Sequence, residues 1–184
     1  MVNTIKRIYE GFLNLITKSG LVLLIISTTL LFYGCESGQR KKHSIASPDG
    51  AIHLNFSVKN DTAFYSVLKD GKVVIDQSKL GFVLDQIDDL SGGFQMENVE
   101  KSSFSENWEQ PWGEKREILN HFNQLTVHLT EKAGLKRKLD IVFRVFNDGV
   151  GFRYVFPEQE NLTEFRILNE LTEFNLPGDY EAWW

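Results

Sequence analysis

Four glutamates, Glu106, Glu109, Glu114 and Glu117, surround two tryptophans, Trp108 and Trp112, within a dozen residues. Carboxylates beside indoles are the side chains that sugar chemistry uses. Cleavage of a glycosidic bond needs one carboxylic acid with a raised pKa and one carboxylate, both held in a rigid pocket. Nothing in the spacing sets two of these four in one cleft, so no catalytic residue is assigned. The expectation is a structural loop that packs Trp108 and Trp112 against neighbouring structure. Sugar contact or an interface is the alternative role for Trp108, Trp112 and Glu114. A second acidic group, Asp85, Asp88 and Asp89, has the oxygen ligands that calcium prefers, but not the ordered alternation of a calcium loop, and reads as a solvated acidic turn. His43, His53, His121 and His128 have no zinc-like pairing; His53 and His128 read as surface residues.

The chain that must position these groups has 184 residues, enough for one ordinary domain. It is 42% hydrophobic and 24% charged, the balance of a folding sequence, and its 14 Phe lean toward sheet. One Cys excludes an intramolecular disulfide and a cysteine-rich zinc site. A net charge of −5 argues against a nucleic-acid partner held by phosphate neutralisation. There is no Gly-rich phosphate loop and no His-Glu-x-x-His pattern.

The amino-terminal residues read as an address. Lys6, Arg7 and Lys18 precede the uncharged run Leu21-Val22-Leu23-Leu24-Ile25-Ile26-Ser27-Thr28-Thr29-Leu30-Leu31-Phe32. As a helix, residues 19–34 would reach about 24 Å, short of the ~30 Å hydrocarbon core. A processed signal over residues 1–34 is therefore expected rather than a span. Gly34 before Cys35 resembles a bacterial lipoprotein signal, with cleavage before Cys35 and a lipid on its thiol, although Phe32 and Tyr33 are bulkier than the usual pattern. The alternative for Cys35 is an incidental thiol beside an uncleaved anchor. Residues 35–44 then form a polar linker. Without residues 1–34, 17 basic and 24 acidic residues remain.

From there the pattern has period two. Ser47-Pro48-Asp49-Gly50 is a turn; Ile52, Leu54, Phe56 and Val58 alternate with polar residues; Asn60-Asp61 and Asp70-Gly71 read as tight turns. Further strands are expected over residues 63–69, 72–75, 80–84, 125–129, 136–146, 150–156, 165–168 and 172–176, with an acidic, Gly-rich loop over residues 85–93. Asp148 reads as a turn residue suited to positive φ. Arg144 and Arg153 are placed to form cross-strand or domain-interface ion pairs. No window sustains helical periodicity, so the fold class is all-β, an antiparallel β-sandwich. The chain reaches Ala182-Trp183-Trp184, and two indoles there call for a covering surface. The sandwich is therefore expected to be incomplete at its C-terminus, with open sheet edges that lower its solubility.

Three segments in order carry a family resemblance: Trp108-Glu109-Gln110-Pro111-Trp112-Gly113-Glu114, Asn120-His121-Phe122-Asn123-Gln124-Leu125-Thr126-Val127, and Phe143-Arg144-Val145-Phe146-Asn147-Asp148-Gly149-Val150-Gly151-Phe152-Arg153-Tyr154. With the opening Ser-Pro-Asp-Gly and the late Ala-Trp-Trp, residues 45–184 resemble the amino-terminal domain of glycoside hydrolase family 97. That family contains α-glucosidases and α-galactosidases of Bacteroidetes. The resemblance implies a galactose-mutarotase-like sandwich and, as partner, a C-terminal (β/α)₈ catalytic barrel that this chain does not contain. It also implies calcium near the catalytic carboxylates, with ligands mostly outside this chain, and an α-linked oligosaccharide as substrate. Glu181 is not a matched ligand position. The expected setting is an exported protein, tethered to a membrane by lipid on Cys35, in the periplasm or outer membrane of a Gram-negative bacterium. A stand-alone lipid-anchored carbohydrate-binding module and a non-functional gene fragment are the alternatives.

Overall fold

A computed structural model describes residues 43–181. Ten strands form there: β1 (His43–Ala46), β2 (Ile52–Lys59), β3 (Thr62–Lys69), β4 (Lys72–Lys79), β5 (Phe82–Leu84), β6 (Phe94–Glu109), β7 (Glu117–Glu131), β8 (Lys138–Val145), β9 (Val150–Val155) and β10 (Ile167–Glu170). They build two four-stranded antiparallel sheets, β1-β2-β3-β4 and β6-β7-β8-β9, and a short pair, β10-β5. Turn chemistry sets the register. Asn60 and Asp61 both take positive φ (47° and 63°), as do Asp70 and Gly71 (49° and 75°), the geometry whose twist matches two-residue hairpins. At the opening turn, the Ser47 hydroxyl donates to Asp49 (2.5 Å) and the Ala51 amide follows at 3.0 Å. These donors, Ser47 foremost, hold the Asp49 carboxyl below the usual carboxylate range. The Asn147-Asp148-Gly149 turn closes through the Phe146 amide on the Gly149 carbonyl, with Asp148 at ordinary negative φ rather than the positive φ its type suggested.

The core lies between the two large sheets. Leu54 and Phe56 of β2, Ala63 and Tyr65 of β3, Leu125, Val127 and Leu129 of β7, and Leu139, Ile141 and Phe143 of β8 are all buried at alternate positions. Each strand therefore gives one face to the interior, as a sandwich requires. Phe143 sits at the centre, its ring 6.0 Å from Phe56, 6.1 Å from Tyr65 and 5.5 Å from Phe152. The architecture is an antiparallel β-sandwich, as the period-two pattern predicts.

One sheet edge expected to lie open is covered. β10 and the residues after it run along β5 and the end of β4. The Leu171 amide donates to the Gly81 carbonyl (2.8 Å), Glu173 to Lys79 (3.0 Å), and Asp76 to the Asn175 carbonyl (2.7 Å). Residues 172–176 thus make ladder contacts beside β4, and the strand predicted at 165–168 forms two residues later, as β10. Two phenols pin this segment: Tyr65 donates to the Glu173 carbonyl at 2.8 Å, and the Tyr154 hydroxyl meets Thr172 Oγ1 at 2.7 Å. Burial pushes both phenols up to about 12.

A titration checks this arrangement. Tyr65 and Tyr154 should ionise only near pH 12 when phenolate absorbance is followed. An unfolded chain releases these protons near pH 10. Stability should therefore be complete below pH 10 and fall as pH rises toward 12. The fall should be shallower in a Tyr65→Phe/Tyr154→Phe chain.

Candidate functional site

The most distinctive surface feature begins where β8 stops pairing with β7. The β7–β8 ladder covers Asn123–Thr130 of β7, whereas the β6–β7 ladder continues to Glu109 opposite Glu117. The residues from Glu117 to Phe122 therefore pair with β6 alone and project as a two-stranded arm, roughly 20 Å long at ~3.4 Å per residue. Its sequence is that of an exposed ribbon: Ser105, Glu106, Asn107, Glu109, Glu117 and Leu119 are all exposed.

At the tip, residues 110–116 close the turn through Gln110. Its amide N–H donates to the Arg116 carbonyl (2.9 Å) and its side-chain nitrogen to the Lys115 carbonyl (2.7 Å). Gly113, at φ 107°, packs so closely on the Gln110 side chain that a Cβ there would lie 2.8 Å from its nitrogen. Arg116 reaches back to Glu109 with two N–H groups, at 3.0 and 3.1 Å, easing the repulsion between Glu109 and Glu117 directly across the ladder.

The arm leaves the predicted residues exposed, and of the four glutamates it sets Glu109 and Glu117 opposite each other across the ladder. Trp112 stands at the tip, 79% exposed; Trp108 lies on one face at 46%. Glu106, Glu109, Glu114 and Glu117 are all exposed. The structure brings no two of these carboxylates into a shared pocket, and neither indole packs on the sandwich core. Cys35, Trp183 and Trp184 lie outside the described residues.

The root of the arm is anchored on the outer face of its sheet. Phe104 and Phe122, cross-strand partners, stack at 5.2 Å, and Phe146 meets Phe122 at 5.2 Å. Arg144 lies 4.5 Å over the Phe122 ring and donates to Gln124 at 3.1 Å. Phe122 is thereby buried on the side of the sheet away from the core. Within the described residues Arg144 thus makes a cation–π contact rather than the cross-strand ion pair. No ion pair involves Arg153 among the described residues. His128, half-buried rather than at the surface, faces Asp140 at 2.9 Å; His53 is exposed as expected.

The acidic loop at residues 85–93 is organised by a side chain the sequence reading passed over. Arg137, 1% exposed, donates to the carbonyl oxygens of Asp88 (2.7 Å) and Asp89 (3.2 Å) and pairs with both oxygens of Glu131 (2.7 and 2.6 Å). Hydrogen bonding to Glu131 raises the Arg137 pKa further above its ordinary value. The Asp85 carboxylate is paired with Arg166 at 3.3 Å, and Asp89 accepts the Leu84 amide at 3.4 Å. A guanidinium thus takes the loop carbonyls that a cation would need. No group of three His, Cys, Asp or Glu side chains is placed to hold a metal among the described residues, so these residues do not fit calcium. The signal for Arg137 was available in principle: Gly134, at φ 68°, lets the chain reverse between Glu131 and Arg137.

Comparison with known proteins gives a consistent result. The profile of the glycosyl-hydrolase 97 N-terminal family matches residues 45–184. A retaining α-galactosidase of Bacteroides thetaiotaomicron is 24% identical over 143 residues, which are 78% of this chain and 20% of that protein. A probable retaining α-galactosidase of Streptomyces bingchenggensis is 24% identical over 171 residues, 91% of this chain and 26% of that one. Among solved structures, a glycoside hydrolase family 97 enzyme from Pseudoalteromonas sp. strain K8, in complex with panose, superimposes with a TM-score of 0.71 at 35% identity, over 73% of this chain and 20% of that one. The chain thus spans about a fifth to a quarter of the length of the curated relatives it matches.

Proposed function

Because the chain belongs to the glycosyl-hydrolase 97 N-terminal family, we propose that it is the scaffold part of an exported, calcium-dependent, exo-acting α-glycosidase. Its work is positional. It buttresses a (β/α)₈ catalytic barrel, closes one side of the pocket and limits entry to the non-reducing end of an α-linked glucoside or galactoside. Groups at such a rim act by orienting the sugar and excluding water. Calcium, which would assist the catalytic carboxylates, would draw its ligands mostly from outside this chain. Lipid on Cys35 tethers the mature protein to a membrane: two acyl chains, at ~0.8 kcal/mol per buried CH₂, make a lasting anchor.

One observation carries this reading: the family match covers the sandwich from Ile45 onward, while the four glutamates of the arm stay exposed. The experiment is direct. The purified chain, given aryl α-glucosides and α-galactosides with calcium present, is expected to release no aryl alcohol above the blank. Turnover that disappears in any of Glu106→Gln, Glu109→Gln, Glu114→Gln or Glu117→Gln would overturn it.

A further inference from the structure

We propose that a groove on the outer face of the β1-β2-β3-β4 sheet holds the pyranose ring of a neutral glycan. The inference goes beyond the scaffold reading and does not depend on it. By strand alternation, Asn55, Ser57, Phe64 and Ser66 lie on the face away from the buried Leu54, Phe56, Ala63 and Tyr65. The ladder sets Asn55 opposite Ser66 and Ser57 opposite Phe64. Along β4 the register slips: Tyr65 faces Ser78, whereas Val67 faces Ile75. Asp76 and Gln77 therefore both stand opposite Ser66, the two-against-one count of a β-bulge. The bulge bends β4 and brings two consecutive side chains to one groove of about 390 Å³, lined by these six residues and Lys59. That volume falls in the ~300–1,000 Å³ range of small-molecule sites.

The chemistry of the groove selects its occupant. Asn55, Ser57 and Ser66 are half-buried, yet among the described residues no hydrogen bond engages their side chains. Lys59 donates to Gln77 Oε1, which leaves the Gln77 NH₂ group as a donor. Asp76 accepts the Gln77 amide on Oδ1 at 2.7 Å, which leaves its second oxygen as an acceptor. Two carboxamides, two hydroxyls and one carboxylate oxygen thus offer donors and acceptors side by side. A sugar hydroxyl needs both at once, because it donates one proton and accepts on its lone pairs. Phe64, half-buried and without a ring partner among the described residues, supplies a π-face for the C–H side of a pyranose. The charges of Lys59 and Asp76 cancel, so the groove is neutral. An anion would find one ammonium already engaged, a metal ion one carboxylate, and an apolar peptide a single ring.

The test titrates the purified chain with methyl α-glucopyranoside, methyl α-galactopyranoside and maltotriose, following backbone and side-chain amides by NMR. With at least one of these sugars, saturable shifts are expected at the side-chain amides of Asn55 and Gln77 at millimolar concentration. Phe64→Leu and Gln77→Ala should each weaken that binding about tenfold, the loss of one ring contact or one hydrogen bond. Gln77 is exposed, so its variant keeps the fold even if Phe64→Leu does not. Trp112→Ala, on the β6–β7 arm, should leave the affinity unchanged. The proposal is overturned by the absence of saturable shifts with all three sugars, by shifts confined to the arm, or by affinity that survives Gln77→Ala. Sodium sulfate moving the same amides at lower concentration than any sugar would overturn it too, as would shifts that follow protein concentration and not sugar. No bond cleavage is read in this titration, so its outcome leaves the scaffold reading to the aryl glycoside assay.

Discussion

Glu131→Ala is expected to remove about 3–5 kcal/mol of folding stability, because it leaves the Arg137 guanidinium buried without its counter-charge. Three donors from Arg137, its backbone amide included, converge on Glu131, and two more hydrogen bonds carry the clamp to Asp88 and Asp89. Such a loss is a large fraction of the stability of a domain this size. Urea denaturation of the mature domain measures it as a drop in midpoint at unchanged slope. The pair also separates two explanations. A Glu131→Met/Arg137→Leu double variant removes both charges, so it should recover most of the loss if the uncompensated charge is the cause. If it is as unstable as Glu131→Ala, the hydrogen bonds to the acidic loop carry the stability instead.

Phe143→Ala should be comparably severe, about 3–5 kcal/mol, by the combined loss of transfer energy and the cavity left behind. The site cannot collapse easily, since the ring touches Phe56 and Tyr65 of one sheet and Phe152 of its own. Phe143→Leu should cost visibly less in the same urea experiment, because it keeps most of the volume. Exposed arm positions give the contrast: Trp112→Ala should change isolated-domain stability by no more than about 0.5 kcal/mol.

Most of the sandwich is legible in the residues because burial on one face writes itself as alternation. β2 and β3 alternate in burial, β8 does so except at Val142, and the Asn60-Asp61 and Asp70-Gly71 pairs announce their turns. β6 is not legible. After Phe94 it is exposed or half-buried throughout, on both faces in the arm, so nothing in its order of residue types distinguishes strand from loop. The amino-terminal half of β7 is hidden for the same reason. Trp108 and Trp112 stood out by type, yet their separation along a free ribbon depends on where β8 ends, which their own segment does not encode. Arg137 escaped notice because a charged residue six positions from a glutamate reads as surface until the fold wraps the acidic loop around it.

The segment sewn along β4 and β5 also sets an order of events during synthesis. Asn175 bonds to the Gln77 carbonyl from 98 residues away. At ribosomal speeds of about 5–20 residues per second, β4 waits roughly 5–20 s for its neighbour. Throughout that interval the nascent sheet offers a bare row of amides and carbonyls to any passing chain. A holdase that shields it, or a low concentration of nascent product, should decide how much of this protein reaches its native form.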